Sequence, residues 1–180
     1  HLIVDEAQDY TPVQFEILRR LFGDASLTVL GDLNQRINFH SGLDDYEMLV
    51  DVFGSEARDV VRLTRSYRSS WQISQFAAQI APVSAGAQSV RRDGASPKVI
   101  CSEGVDHTAA AIASEIEELT ASGMASVGVV CKTAAEAARI YSKLRALNAE
   151  AHLLESESIH FHHGLVALPV YLAKGLEFDA

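Results

Sequence analysis

An α/β protein, with a parallel sheet covered by helices on both faces, is the fold class this sequence predicts. Three observations carry the prediction. Short apolar runs of strand length alternate with longer stretches of helical periodicity. Two of those stretches open with helix-start chemistry, Thr11-Pro12-Val13-Gln14 and Thr133 with Glu136. The composition, 48% apolar and 22% charged over 180 residues, is that of a folded globular chain. Strands that alternate with helices of this length pair in parallel and are buried on both sides.

The elements follow in order. His1–Val4 is an apolar strand ending in Asp5. Thr11 caps the next helix, Pro12 takes its first position, and Tyr10 and Phe15 are spaced for a hydrophobic staple. Phe15, Leu18, Leu21 and Phe22 recur at helical spacing, and Gly23 stops the helix. Leu27–Leu30 is a second buried strand closed by Gly31-Asp32. A helix over Asp44–Phe53 and a short strand at Asp59–Leu63 complete a first section, 1–62. In the second section, 63–180, Ser70 caps a helix carrying Ile73, Phe76, Ala77 and Ile80 on one face. A Ser-, Gly-, Ala- and Arg-rich loop spans Pro82–Pro97. A regular series then predicts strand Lys98–Cys101, helix Asp106–Ala121, strand Val127–Cys131 and helix Thr133–Leu147, whose stripe is Ile140, Tyr141, Leu144 and Leu147. Strands at Ala151–Leu154 and Leu165–Tyr171 close the series.

Bulk properties exclude several classes. No apolar run reaches bilayer length, which argues against a membrane span. Cys101 and Cys131, at predicted strand ends, read as small buried hydrophobes in a reducing cytoplasm rather than as a disulfide framework. A formal net charge of −9 argues against a broad electrostatic grip on nucleic acid and leaves room for a basic protein partner. The opening residues enter a strand directly, without a signal-like stretch, and Gly175–Ala180 stops without a closing element. Both ends are therefore expected to be cuts within a longer protein.

Four segments carry candidate chemistry. In Val4-Asp5-Glu6-Ala7-Gln8-Asp9 a strand ends in two adjacent acids, an arrangement in which one carboxylate holds magnesium and the next polarises an attacking water. In Val29-Leu30-Gly31-Asp32-Leu33-Asn34-Gln35 a second strand end is followed by Gln35, within reach of a terminal phosphate or that water. Ligands of open parallel sheets lie at the carboxyl ends of strands, so the two segments point to one site. In Leu63–Ser70, Tyr67 offers a face for stacking a base and Arg68 a fork for phosphate. In Tyr171–Asp179 a strand leads into the Lys174-Gly175 turn and Glu177.

In this order the four segments resemble motifs II, III, IV and V of the superfamily-one, UvrD/Rep-like helicases, which read as a DEXQD box, a GDXXQSI segment, a YRS segment and a KGLEF segment. The variants here look closest to the HelD and DNA helicase IV branch, whose HelD-type members are ATPases that associate with bacterial RNA polymerase. The resemblance implies a RecA-like (P-loop NTPase) fold, with the end of a first lobe in 1–62 and most of a second in 63–180. It implies ATP and magnesium as cofactors and single-stranded DNA or another nucleic acid as the track. By the same resemblance Asp5 coordinates magnesium, Glu6 is the catalytic base and Gln35 senses the γ-phosphate. Tyr67 stacks on adenine, Arg68 is an arginine finger, Glu177 helps hold the nucleotide, and Lys174 with Gly175 forms the turn beside it.

The departures are informative. The aromatics that relatives use to stack single-stranded DNA fall here on Asn38 and His40, with Phe39 between them; each such platform is worth ~1–3 kcal/mol per base. The His-Ser pair of motif V is replaced by Tyr171-Leu172. Both changes favour a remodelling ATPase directed at RNA polymerase over a processive unwinder. The sequence has no G-x-x-x-x-G-K-[ST] loop and no arginine-rich motif VI, so the chain by itself is expected to bind ATP weakly and not to turn it over. The main rival is a non-catalytic, helicase-shaped module that binds RNA polymerase or another protein. A nucleic-acid-binding domain without ATPase function is disfavoured by the charge. His152, His160, His162 and His163 read as a solvated loop rather than a metal site, and Arg91-Arg92 as a small basic surface patch.

Overall fold

A computed structural model describes residues 1–36, 42–43, 45–54, 59–80, 88–89, 92–159 and 163–180. The chain divides into two compact units, His1–Lys98 and Val99–Ala180. Asn38, Phe39, His40, Asp44, Arg91, His160, His162 and half of the Pro82–Pro97 loop lie outside the described residues. No helix among the described residues is long and apolar enough to cross a membrane.

The first unit is built on a β-α-β element. β1 (Leu2–Val4) pairs in parallel with β2 (Leu27–Val29), with Leu2 opposite Leu27 and Val4 opposite Val29. Between them runs α1 (Pro12–Leu21). Its start is fixed by a complete capping box: the Gln14 N–H donates to Thr11 Oγ1 at 3.3 Å, and the Thr11 N–H donates to Gln14 Oε1 at 2.7 Å. The staple is present, with the Tyr10 and Phe15 rings 5.6 Å apart. Phe15 is fully buried and meets the edge of Phe53 at 6.2 Å, on the short helix α2 (Met48–Phe53). Val4, Ala7, Phe15 and Leu43 form the core, flanked by Leu18, Val29 and Leu33.

Further along the unit, β3 (Arg65–Ser66) pairs in parallel with β4 (Gln88–Ser89), and α3 (Trp71–Ile80) starts from a Ser70 cap. No residue of α3 is buried, and Ile73 and Ile80 are exposed, so its predicted apolar face is not covered by the described residues of the unit.

In the second unit three parallel strands lie in the order β5 (Val127–Cys131), β7 (Leu165–Pro169), β6 (Ala151–Leu153). Every residue of the central β7 is buried. α5 (Ala134–Ala146) packs on one face through Ala137, Ile140 and Leu144, and α4 (Gly104–Ala121) adds Ile112, Ile116 and Leu119. A 2.6 Å ion pair from Lys143 to Asp106 ties the two helices, and Lys143 holds the Asp106 carboxyl below the ordinary aspartate range. The Glu136 N–H donates to Thr133 Oγ1, while the Glu136 carboxylate accepts from the Lys132 N–H rather than from Thr133, so the expected capping box closes one residue early.

Strand alternation puts Gly128 on the face opposite α5. There Phe178 of the C-terminal segment, not a helix, packs against it. The same segment is held along β5 by hydrogen bonds from the Asp179 N–H to the Ser126 carbonyl and from the Gly128 N–H to the Ala180 carbonyl.

Several predicted elements differ. Asp59–Leu63 and Lys98–Cys101 are not strands, and Val60, Val61, Leu63, Val99 and Ile100 are exposed. Their residues favour extended backbone, but a strand exists only when a second backbone accepts its hydrogen bonds. Cys101 is therefore exposed rather than buried, whereas Cys131 is buried, which pushes its thiol pKa up. β2 ends at Val29, and Leu30 is half-exposed rather than buried. β7 ends at Pro169, which has no N–H to continue the ladder, so Val170–Ala173 turns into a short helix, α6, carrying Tyr171. α2 begins at Met48.

Candidate functional site

The parallel pairing of β1 and β2 brings their carboxyl ends side by side. Past Val4 come exposed Asp5 and then Glu6, whose backbone lies in the left-handed region at φ 53° and ψ 38°, followed by a 3-10 turn at Ala7–Asp9. The Ala7 N–H donates to the Leu30 carbonyl at 2.9 Å and the Leu30 N–H to the Val4 carbonyl at 2.8 Å, so the end of β2 grips the turn. Asp5 Oδ1 accepts from the Glu6 N–H at 2.8 Å. Past β2, Asp32 caps a second 3-10 turn, Leu33–Gln35: Oδ1 accepts from the Asn34 N–H at 3.0 Å, and Oδ2 from Gln35 Nε2 at 2.9 Å.

Between the two strand ends lies Gln8, fully buried. Its Nε2 donates to Glu6 Oε2 at 2.7 Å, and its Oε1 accepts from the Asp32 N–H at 3.0 Å. Its main-chain carbonyl accepts from the Leu43 N–H at 3.3 Å. Gly31 makes this approach possible, since a Cβ there would come within 2.6 Å of both Gln8 Oε1 and the Tyr46 hydroxyl. Gly42, at φ 114°, lies as tightly against the Gln8 carbonyl oxygen. Sequence reasoning did not single out Gln8. The usable signal is a large polar residue two positions past a strand-end acid, on the side of the turn facing the core.

Asp5, Glu6 and Gln35 are thus brought to one end of one sheet. Their oxygens are hard donors on an open surface, a set that suits magnesium, which keeps several waters and takes only one or two protein carboxylates. Among the described residues no group of three or more His, Cys, Asp or Glu side chains could hold a metal by itself.

Tyr67 and Arg68 follow β3 in another segment of the first unit. Tyr67 is 65% exposed, a free aromatic face. The segment is anchored from 92–94: Arg92 donates to the Arg68 carbonyl at 3.3 Å, the Trp71 N–H donates to the Arg92 carbonyl at 2.8 Å, and the Gly94 N–H donates to Gln72 Oε1 at 2.9 Å. Lys174, Gly175 and Glu177 belong to the second unit. Gly175 makes the turn at φ 81°, where a side chain would be strained, and the Leu176 N–H closes onto the Ala173 carbonyl at 3.1 Å. Glu177 is exposed. Two residues further on, the Asp179 carboxylate accepts from the Ala125 and Ser126 N–H groups at 2.9 and 2.8 Å, which holds its pKa below the ordinary range.

Two carboxylates and a glutamine thus lie at adjacent parallel strand ends, and the α/β architecture with parallel pairing is compatible with a RecA-like helicase fold. Residues 1–42 match the profile of the UvrD/REP helicase N-terminal domain, the segment that contains Asp5, Glu6, Gln8, Asp32 and Gln35. The chain is also similar to the ATP-dependent DNA helicase UvrD2 of Mycobacterium tuberculosis and of Mycobacterium bovis, at 40% identity over 87 residues. That alignment covers 47% of this chain and 12% of each relative. Both findings support the UvrD-like character of the chain.

Proposed function

We propose that this chain is part of an ATP-driven helicase or translocase motor of the UvrD type, contributing the magnesium-and-water side of its nucleotide site. The observation that carries the reading is the parallel β1–β2 pair, which sets Asp5-Glu6 and Gln35 at one sheet end within the segment matched by the helicase profile. Asp5 holds the cation, Glu6 orients and deprotonates the attacking water, and Gln35 meets the terminal phosphate. Tyr67 stacks on the adenine, Arg68 neutralises developing phosphate charge, and Glu177 with the Lys174-Gly175 turn holds the nucleotide from the second lobe. Magnesium, when bound with ATP, neutralises the phosphate oxygens as the terminal phosphoryl group leaves.

In this reading residues 1–62 close the first RecA-like lobe and 63–180 form most of the second, and the motor works on nucleic acid in the cytoplasm. The finer assignment is to the HelD and DNA helicase IV branch, with remodelling of RNA polymerase complexes as the output. Asn38, His40, Tyr171 and Leu172, where helicases that translocate on single-stranded DNA carry other groups, support it. A phosphate-binding loop has to come from outside this chain, so the chain alone does not hydrolyse ATP. The test is magnesium-dependent ATP hydrolysis by the full-length protein. Loss of turnover in Glu6→Gln with retained nucleotide binding is the expected result; undiminished turnover in that variant, or turnover by residues 1–180 alone, overturns the reading.

A further inference from the structure

We propose that Gln8 is a positioning residue that couples the Glu6 carboxylate to Gln35, so that contact of Gln35 with the terminal phosphate of a nucleoside triphosphate sets the orientation of Glu6. The inference rests on the ATP-hydrolysing reading above and adds a component to the same site.

A continuous chain of hydrogen bonds carries it. Gln35 Nε2 donates to Asp32 Oδ2 at 2.9 Å, the Asp32 N–H donates to Gln8 Oε1 at 3.0 Å, and Gln8 Nε2 donates to Glu6 Oε2 at 2.7 Å. Burying a glutamine amide is costly unless its oxygen and nitrogen are both bonded, and an apolar side chain of similar size would fill the space without that requirement. Gln8 is fully buried, and both ends of its amide are spent on the two halves of the site. Two glycines, Gly31 and Gly42, bring their backbones so close to the residue that a side chain at either would collide with it. Glu6 has a strained left-handed backbone, a state that persists only when its surroundings fix it from several sides. The Gln8 amide fixes the side chain, the Asp5 carboxylate the N–H, and the Ala7–Leu30 bond the following residue. A movement of Gln35 pulls on Asp32, whose main chain is bonded to Gln8, and Gln8 in turn holds Glu6 Oε2.

The experiment is steady-state hydrolysis of magnesium-ATP by the full-length protein carrying Gln8→Met. Turnover is expected to fall about 10- to 100-fold, the usual consequence of removing a group that orients a reacting side chain. KM for ATP should stay within about threefold, because the interaction acts on the chemical step. Combined with Gln35→Ala, Gln8→Met should add no further loss, since both cut one chain. Turnover within about twofold of native, or losses that multiply in the double variant, overturns the proposal. Should Gln8→Met fail to fold by circular dichroism, Asp32→Ala cuts the same chain from a partly exposed position. The same turnover-only loss supports the coupling, and native turnover overturns it. If Glu6→Gln stays active, the site reading itself falls. If Glu6→Gln is inert while the Gln8 and Asp32 variants run at the native rate, only the coupling falls.

Discussion

The ring of Phe178 lies against Gly128 so closely that a methyl group added at position 128 would come within 2.7 Å of it. This contact fastens the segment after Glu177 to the sheet face that α5 leaves open. Gly128→Ala must therefore displace the ring, and the second unit should lose about 1–3 kcal/mol of stability. Urea unfolding measures the loss, and a stability equal to native would show that the ring has somewhere else to go.

Asp179 makes the same attachment pH-dependent. Its two main-chain donors favour the ionised carboxylate, so its pKa is lowered in the folded chain. The attachment is complete above the unfolded-state pKa, about 3.9, and is lost as the pH falls through the lower folded value. Exchange protection of the Ser126 amide should fade below about pH 4 and should already be weak at neutral pH in Asp179→Asn. Acid-insensitive protection contradicts this.

The start of α1 depends on Thr11. With its hydroxyl removed, the Gln14 N–H loses its acceptor. Thr11→Ala should cost about 1 kcal/mol in chemical denaturation, and Thr11→Ser nearly nothing. An equal cost for both would place the effect in the γ-methyl group rather than in the cap.

Leu144 is fully buried where α5 meets β7 and β6. Leu144→Ala should destabilise the second unit by about 2–5 kcal/mol, whereas Leu147→Ala, at a half-exposed position of the predicted stripe, should cost well under half as much. A differential unfolding experiment on the two variants tests whether the buried stripe ends at Leu144.

Elements whose cause is local were legible in the sequence. The cap at Thr11-Pro12-Gln14, the Tyr10–Phe15 staple and the strand Val127–Cys131 stand where their own residues put them. Elements whose cause lies elsewhere in the chain were not. Asp59–Leu63 and Lys98–Cys101 have strand composition, but no backbone among the described residues completes a ladder, and their apolar side chains remain exposed. Pro169 stops β7 two residues before the predicted end of the strand at Tyr171. At the site, Asp5, Glu6 and Gln35 could be read because each follows a strand end. Gln8 could not be assigned from its own neighbourhood, because its role arises from Asp32, 24 positions away, and from the space that Gly31 leaves.

Glu6 holds the one conformation at this turn that a glycine would adopt without strain. At this position, then, backbone ease and side-chain bonding are opposed. Gly at position 6 should release about 1 kcal/mol of left-handed strain, but it would leave the buried Gln8 amide without its acceptor at a cost of about 1–3 kcal/mol, so the first unit should gain no stability. A selection for heat resistance alone would therefore have no reason to discard the carboxylate, which anchors the buried amide whether or not ATP is consumed.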